Sequence, residues 1–144
     1  MMAITVNDVR DGVISTLAKH FPEADIYGEE IKQGLEEPCF FVMLFPFAQD
    51  REFGRRYIRY HTFDIHYFPE SKTDANEEMF KVAEKLLEHM EYIEVGAGLC
   101  RGTKMESEIV DGILHFKVDY DIYVMREKKE EPYMQTLEQR EGLK

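Results

Sequence analysis

Apolar side chains recur along this chain in two rhythms, and the change from one to the other divides it into elements. Val6, Val9, Val13, Ile14, Leu17 and Phe21 fall three and four apart, which lines one side of a helix. Thr5 or Asn7 stands where a capping side chain belongs, and Pro22 follows where helices often stop. The pattern predicts a first helix over about 6–20. Ile26–Glu29 is a short strand candidate, and Gly34 to Pro38 interrupts the chain. Phe40–Phe45 is then apolar at every position, which predicts a strand covered on both faces near the centre of a sheet.

Pro46 to Gly54 reads as a loop. Tyr57–Phe68 returns as a long strand rich in aromatic and β-branched residues, ended by Pro69. Thr73 or Asp74 opens a second helix. With Asp74 as the cap, Glu77 stands where a reciprocal capping contact would place it. Met79, Phe80, Ala83, Leu86, Leu87 and Met90 form the predicted buried stripe of that helix.

The segment Arg101 to Arg126 supports the most detailed deduction. Asp111-Gly112 is a favoured pair for a two-residue hairpin turn, because both positions need φ > 0. With that turn, Val110 faces Ile113 and the register follows. Ile109 meets Leu114, Ser107 meets Phe116, Met105 meets Val118 and Thr103 meets Tyr120 on one face. On the other, Glu108 meets His115, Glu106 meets Lys117 and Lys104 meets Asp119. A slip by one residue would carry charges into the core, so the pattern specifies the pairing. Three complementary pairs in succession add ~0.2–1 kcal/mol each.

These elements run helix, three strands, helix, two strands. The predicted class is α+β, with a mainly antiparallel sheet of about five strands and two helices packed on one face (order α-β-β-β-α-β-β). Residues 1–126 make a single domain. Residues 127–144 form a charged tail beginning Glu-Lys-Lys-Glu-Glu-Pro. Its Tyr133, Met134, Leu137 and Leu143 offer too little apolar surface for an isolated helix, so it is expected to be disordered or ordered against a partner. No internal repeat or low-complexity segment occurs.

Composition narrows the function. The 144 residues, 44% hydrophobic and 33% charged, describe a globular chain with one substantial core. No apolar run reaches the ~20 residues of a membrane span, and a signal peptide's basic start is missing. Two cysteines, Cys39 and Cys100, are too few for a disulfide scaffold or a zinc site, and are expected to be free thiols. A net charge of -11 argues against wrapping nucleic acid. Most of that excess lies between residues 61 and 126, whereas Arg51, Arg55, Arg56 and Arg59 cluster within a short basic stretch.

Each candidate for chemistry has a plainer reading beside it. Asp64 and His66 share a face of one strand, as a metal pair requires. His61 falls on the opposite face, so no third ligand is supplied locally and no metal is expected. Asp119 and Asp121 share a face like the paired carboxylates of a hydrolase, but Lys104 already answers Asp119. Cys39 could be a nucleophile, yet it opens an apolar run, where cysteine is usually a small buried hydrophobe. Gly96-x-Gly98 follows a helix, whereas a phosphate loop opens one. Neither catalytic residues nor cofactor-binding residues are assigned, and no cofactor is expected. The arginines are open to three readings: a subunit contact made with acidic neighbours, DNA phosphate binding, or a solvated loop.

The stretch from Ile26 to Pro69 carries a family resemblance. It contains Tyr27-Gly-Glu-Glu-Ile31, the run Phe40–Phe45, the basic turn Arg51-Glu-Phe-Gly-Arg-Arg56 and Phe63-Asp-Ile-His-Tyr-Phe-Pro69. This resembles the tail-terminator (tail-completion, minor tail) proteins of tailed phages and prophages, over roughly Ile4 to Arg126. The resemblance brings no catalytic motif. It implies a structural ring, usually a hexamer of the chain with itself, that caps the tail tube, halts its polymerisation and presents a surface for head joining. Implied partners are the tail tube protein and the head-completion protein, with DNA only passing through the lumen and no membrane. Assembly in the host cytoplasm and residence in the virion or prophage tail are implied as well. Two other classes stay open: a small metal-dependent enzyme using Asp64 and His66, and a monomeric or dimeric protein-binding adaptor.

Overall fold

Thr5 starts the first helix, α1 (Val6–His20), through a reciprocal cap. Thr5 Oγ1 accepts from the Asp8 backbone N–H at 3.0 Å, and Asp8 Oδ2 accepts from the Thr5 N–H at 2.9 Å. The computed structural model describes residues 4–28, 36–45, 47–96 and 98–125. After α1 come β1 (Asp25–Tyr27), β2 (Cys39–Leu44), β3 (Ala48–Phe53) and β4 (Arg56–Phe68). Then follow α2 (Ala75–His89), β5 (Tyr92–Val95), β6 (Gly98–Val110) and β7 (Ile113–Met125). The predicted tail 127–144 lies outside the described residues.

The class is α+β with two helices, as the periodicity indicates, but the sheet is larger and mixed. Among the described residues seven strands pair, in the order β1-β2-β4-β7-β6-β5, with β3 beside β4. β1 runs parallel to β2, and every other pairing is antiparallel. The segment read as a loop is β3. A two-residue turn, Gly54-Arg55 with Gly54 at φ 56°, folds it back so that Phe53 pairs with Arg56. All six of its residues are exposed, so no alternation of apolar and polar positions marks it. β2 is not covered on both faces. Phe40 and Val42 are buried and Met43 is 39% exposed, because the face of the sheet opposite the core carries no helix among the described residues.

The β6–β7 hairpin keeps its predicted register from the tip inward. Asp111 and Gly112 have φ of 51° and 74°, and pairing runs from Val110↔Ile113 to Glu106↔Lys117. Beyond that the ladder slips by one. Thr103 pairs with Asp119, and Gly102, not Thr103, pairs with Tyr120. The expected Met105–Val118 register is therefore broken by a bulge, with Lys104 at φ 52°. The slip follows from packing: an ideal Cβ at position 102 would lie 2.8 Å from Met90 O and 2.9 Å from a Val118 methyl. Only glycine fits opposite Tyr120. The Lys104–Asp119 ion pair survives the slip at 4.0 Å.

The core joins Val9, Val13, Leu17 and Phe21 of the α1 segment to alternate residues of the central strands. Phe40 and Val42 contribute from β2, and Phe63, Ile65 and Tyr67 from β4. β7 adds Leu114, Phe116, Val118 and Tyr120. On α2 the buried set is Met79, Val82, Ala83 and Leu86, followed by Met90. Phe80 and Leu87 of the predicted stripe stay exposed, at 61% and 43%. Val82 takes their place because the helix is rotated to seat Met79, Val82 and Leu86 on the sheet. Tyr120 Oη donates to Met90 O at 2.6 Å, which ties the end of α2 to β7.

Asp74 is the N-cap of α2 but makes no side-chain cap bond, and Glu77 pairs instead with Lys81 at 3.4 Å. The organising residue is Glu78. Its carboxylate accepts from Tyr67 Oη at 2.8 Å, Glu70 N at 2.7 Å and Ser71 N at 2.9 Å. Burial opposes its charge, but these bonds prevail and hold the Glu78 carboxyl below its ordinary value.

Two predictions follow from this packing. Gly102→Ala should lose about 1–3 kcal/mol in urea unfolding, whereas Gly98→Ala, whose nearest non-local atom is 4.0 Å from the added Cβ, should be near neutral. Glu78→Gln should cost about 1–3 kcal/mol at pH 7. Because its folded pKa is depressed, the wild-type advantage is full above about pH 4.5 and shrinks as pH falls below that value. Urea melts of both proteins at pH 7 and pH 3 check this; an unchanged difference would refute the ionic role of Glu78.

Candidate functional site

The four arginines sit on or beside the β3–β4 hairpin, and the strands divide them between two faces. Arg59 and Arg51 lie on the face shared with the core residues of β4, because Gln49 pairs with Arg59 and Arg51 with Tyr57. Arg59 donates through Nε and Nη2 to Gln49 Oε1 at 3.1 and 2.9 Å, and through Nη1 to Ile4 O at 3.4 Å. It thus links the hairpin to the residue that precedes the α1 cap. Arg51 Nε donates to Gly54 O at 2.7 Å, closing the turn. Arg56 lies on the helix-free face, its guanidinium 4.3 Å from the Tyr123 ring centre and 3.8 Å from Glu52. Arg55 occupies the turn itself and makes no hydrogen bond or ion pair among the described residues. The hairpin also carries exposed Phe47 and Phe53, and the neighbouring end of β7 exposes Tyr123 and Met125.

Asp64 and His66 are also on the helix-free face of β4, 3.0 Å apart from Oδ2 to Nε2. The fold supplies a third group that spacing along one strand could not reveal. β7 pairs with β4 so that His115 stands opposite His66, and His115 Nδ1 lies 3.7 Å from the same Asp64 oxygen. The two imidazole centres are 4.1 Å apart. The signal was present in two halves, one histidine in each long strand, but joining them needed the β4–β7 register. His61, as expected, is on the other face. It is buried, and its Nδ1–H donates to Tyr120 O at 3.0 Å; burial holds its pKa below the ordinary value.

The remaining candidates are dispersed. Cys39 and Cys100 are free and buried, and burial raises both thiols, Cys39 to about 11. A thiol so raised is a poor nucleophile near neutral pH. Asp119 faces Lys104, while burial and then the charge of Asp119 raise the Asp121 carboxyl. Gly96 provides a positive-φ turn between β5 and β6, with no helix start behind it. No helix among the described residues is long and apolar enough to cross a membrane.

A sequence profile for a family described as phage tail terminator protein matches residues 8–132. No curated protein matches the chain. Among solved structures, one whose title states no function aligns with 88% of this chain and 99% of its own, at 12% identity and a TM-score of 0.42.

Stability should separate the arginines. Arg59→Ala should lower unfolding stability by about 0.5–1.5 kcal/mol through its lost hydrogen bonds, while Arg55→Ala should stay within about ±0.5 kcal/mol. Paired thermal melts test the contrast.

Proposed function

The chain belongs to the phage tail terminator protein family, and from that premise we infer that it caps the finished tail tube as a closed ring. It is a structural protein of a phage or prophage tail. The observation that carries the reading is the family match across residues 8–132. In this reading copies join head to tail, six to a ring by the family resemblance, so that closure leaves no free end for further tube growth. One rim contacts the tail tube protein and the other presents the surface for head-completion proteins. The work is done by shape and contact.

The three thirteen-residue strands β4, β6 and β7 suit a rigid ring body. The β3–β4 hairpin suits an inter-subunit contact, since its exposed aromatics and Arg55 and Arg56 stand away from the core. Arginine pairs well with carboxylates across interfaces, and the net charge of -11 provides many. Arg51 and Arg59 remain interface candidates, but both also serve the hairpin's own geometry. Acidic residues facing a lumen would repel DNA phosphates and let the genome pass without adhering. The charged segment 127–144, acting as an appendage to a domain over 1–126, would supply further adaptable contacts.

Negative-stain microscopy of the protein mixed with its cognate tube protein tests the ring directly. Rings at tube ends are expected; tubes that grow unchanged in its presence would overturn the reading. Arg55→Glu with Arg56→Glu should block ring formation with little change in melting temperature. Tails made with that variant should be overlong or unable to join heads. Assembly should weaken with added salt, because exposed ion pairs are screened over ~8–10 Å. Normal tails from the variant would leave these arginines as a solvated turn.

A further inference from the structure

We propose that Asp64, His66 and His115 form a site for one divalent transition-metal ion of the zinc, cobalt or nickel type, pinning β4 to β7 on the helix-free face. The donor set comes first. Two imidazole nitrogens and a carboxylate oxygen lie within 4.8 Å of one another, and imidazole suits the later first-row divalent ions and zinc. Bonds of about 2.0–2.2 Å to such an ion place tetrahedral donors roughly 3.3 Å apart. The observed 3.0 Å from His66 to Asp64 and 3.7 Å from His115 to Asp64 bracket that spacing. Small side-chain rotations bring in the remaining edge, and the backbone stays in its ladder.

A simple ion pair accounts for the cluster less well. Asp64 is only 7% exposed, yet both imidazoles converge on its Oδ2, while its buried Oδ1 has no hydrogen-bond partner among the described residues. Lys117 stands opposite Asp64 in the ladder but makes no ion pair with it among the described residues. Two protonated imidazoles 4.1 Å apart would repel, whereas one divalent ion uses the lone pairs of all three groups at once. Access is open on the β6 side, where a shallow groove is lined by Glu106, Ser107, Glu108, His115 and Lys117. Glu108 sits directly across from His115, adding negative charge at the entrance. Three protein donors leave at least one coordination position for water or a donor from a neighbouring molecule. The ion's role here is to staple two central strands, so the inference stands whether or not the chain caps tails.

The test uses untagged protein stripped with chelator and then titrated with Co2+. One ion per chain should bind, with visible d–d absorption of nitrogen–oxygen coordination. Zn2+ at about a hundredfold above its dissociation constant should raise the melting temperature by roughly 5–10 °C. The double variant His66→Gln, His115→Gln should lose both effects. A control, His20→Gln with His89→Gln, removes the stacked imidazole pair between the helix ends and should keep them. Should the first variant fail to fold, NMR of the wild-type protein decides, with Co2+ shifting or broadening the His66 and His115 imidazole signals and sparing His20 and His89. No binding at 100-fold excess metal, binding that survives loss of both site histidines, or perturbation confined to His20 and His89 would each overturn the proposal.

Discussion

Both ends of the strand path meet the same short stretch of α1, and the architecture depends on that meeting. At one end Arg10 Nη2 donates to Gly28 O, just beyond β1, at 2.6 Å, and the Ile14 side chain approaches Gly28. At the other, an ideal Cβ on Gly12 would lie 2.7 Å from the Glu94 carbonyl of β5, so only glycine allows this approach. A flat sheet of six strands would set its first and last members about 24 Å apart, at ~4.8 Å per step. Here they flank one helix about 10 Å across. The sheet is therefore curled, its concave side filled by the core and its convex side left without helices among the described residues. Which residues line the exterior follows from that curl, including the Asp64–His66–His115 group and the acids of β6 and β7.

The parts of the fold readable from sequence are those in which neighbours along the chain decide the outcome. α1 announces itself through Thr5, Asp8 and a three-four apolar spacing. The hairpin tip depends only on Asp111-Gly112 and the strands flanking it. Sequence reading failed where a distant contact decided. Nothing near Thr103 shows that Gly102 must sit under Tyr120 and Met90. β3 buries none of its residues, so its only local signal is the Gly54-Arg55 turn, masked by its charged surroundings. Glu78 rather than Glu77 organises the start of α2 because its partners, Tyr67, Glu70 and Ser71, lie before the helix. His115 joins His66 through a strand pairing that sequence spacing does not encode.

The curl also separates duties among residues that look alike in sequence. Arg59 ties β4 to Gln49 and to the residue before the α1 cap, while Arg55 projects from a turn with no such duty. The arginine cluster is thus a structural group and an exposed group sharing one hairpin. Among the described residues the outer edge of β3 carries no strand. Its Asp50-Arg51-Glu52 alternation puts opposite charges along that edge, a pattern that disfavours indiscriminate strand-to-strand association.

The bulge at Lys104 and Met105 gives β6 two reading frames. Toward the hairpin tip Met105 and Ile109 pack against the core; toward β5 the buried positions are Cys100 and Gly102. The extra residue works as a parity switch, letting one continuous strand serve two neighbours whose demands are out of phase. Pairing carried straight on from the tip, with no extra residue taken up, would do more than straighten the strand. It would set Thr103 opposite Tyr120 and turn Arg101 inward, in the places of Gly102 and Cys100, and push a guanidinium toward the apolar interior. Point substitutions at the exposed Lys104 would be mild by comparison. Along this strand, register is under tighter physical constraint than identity.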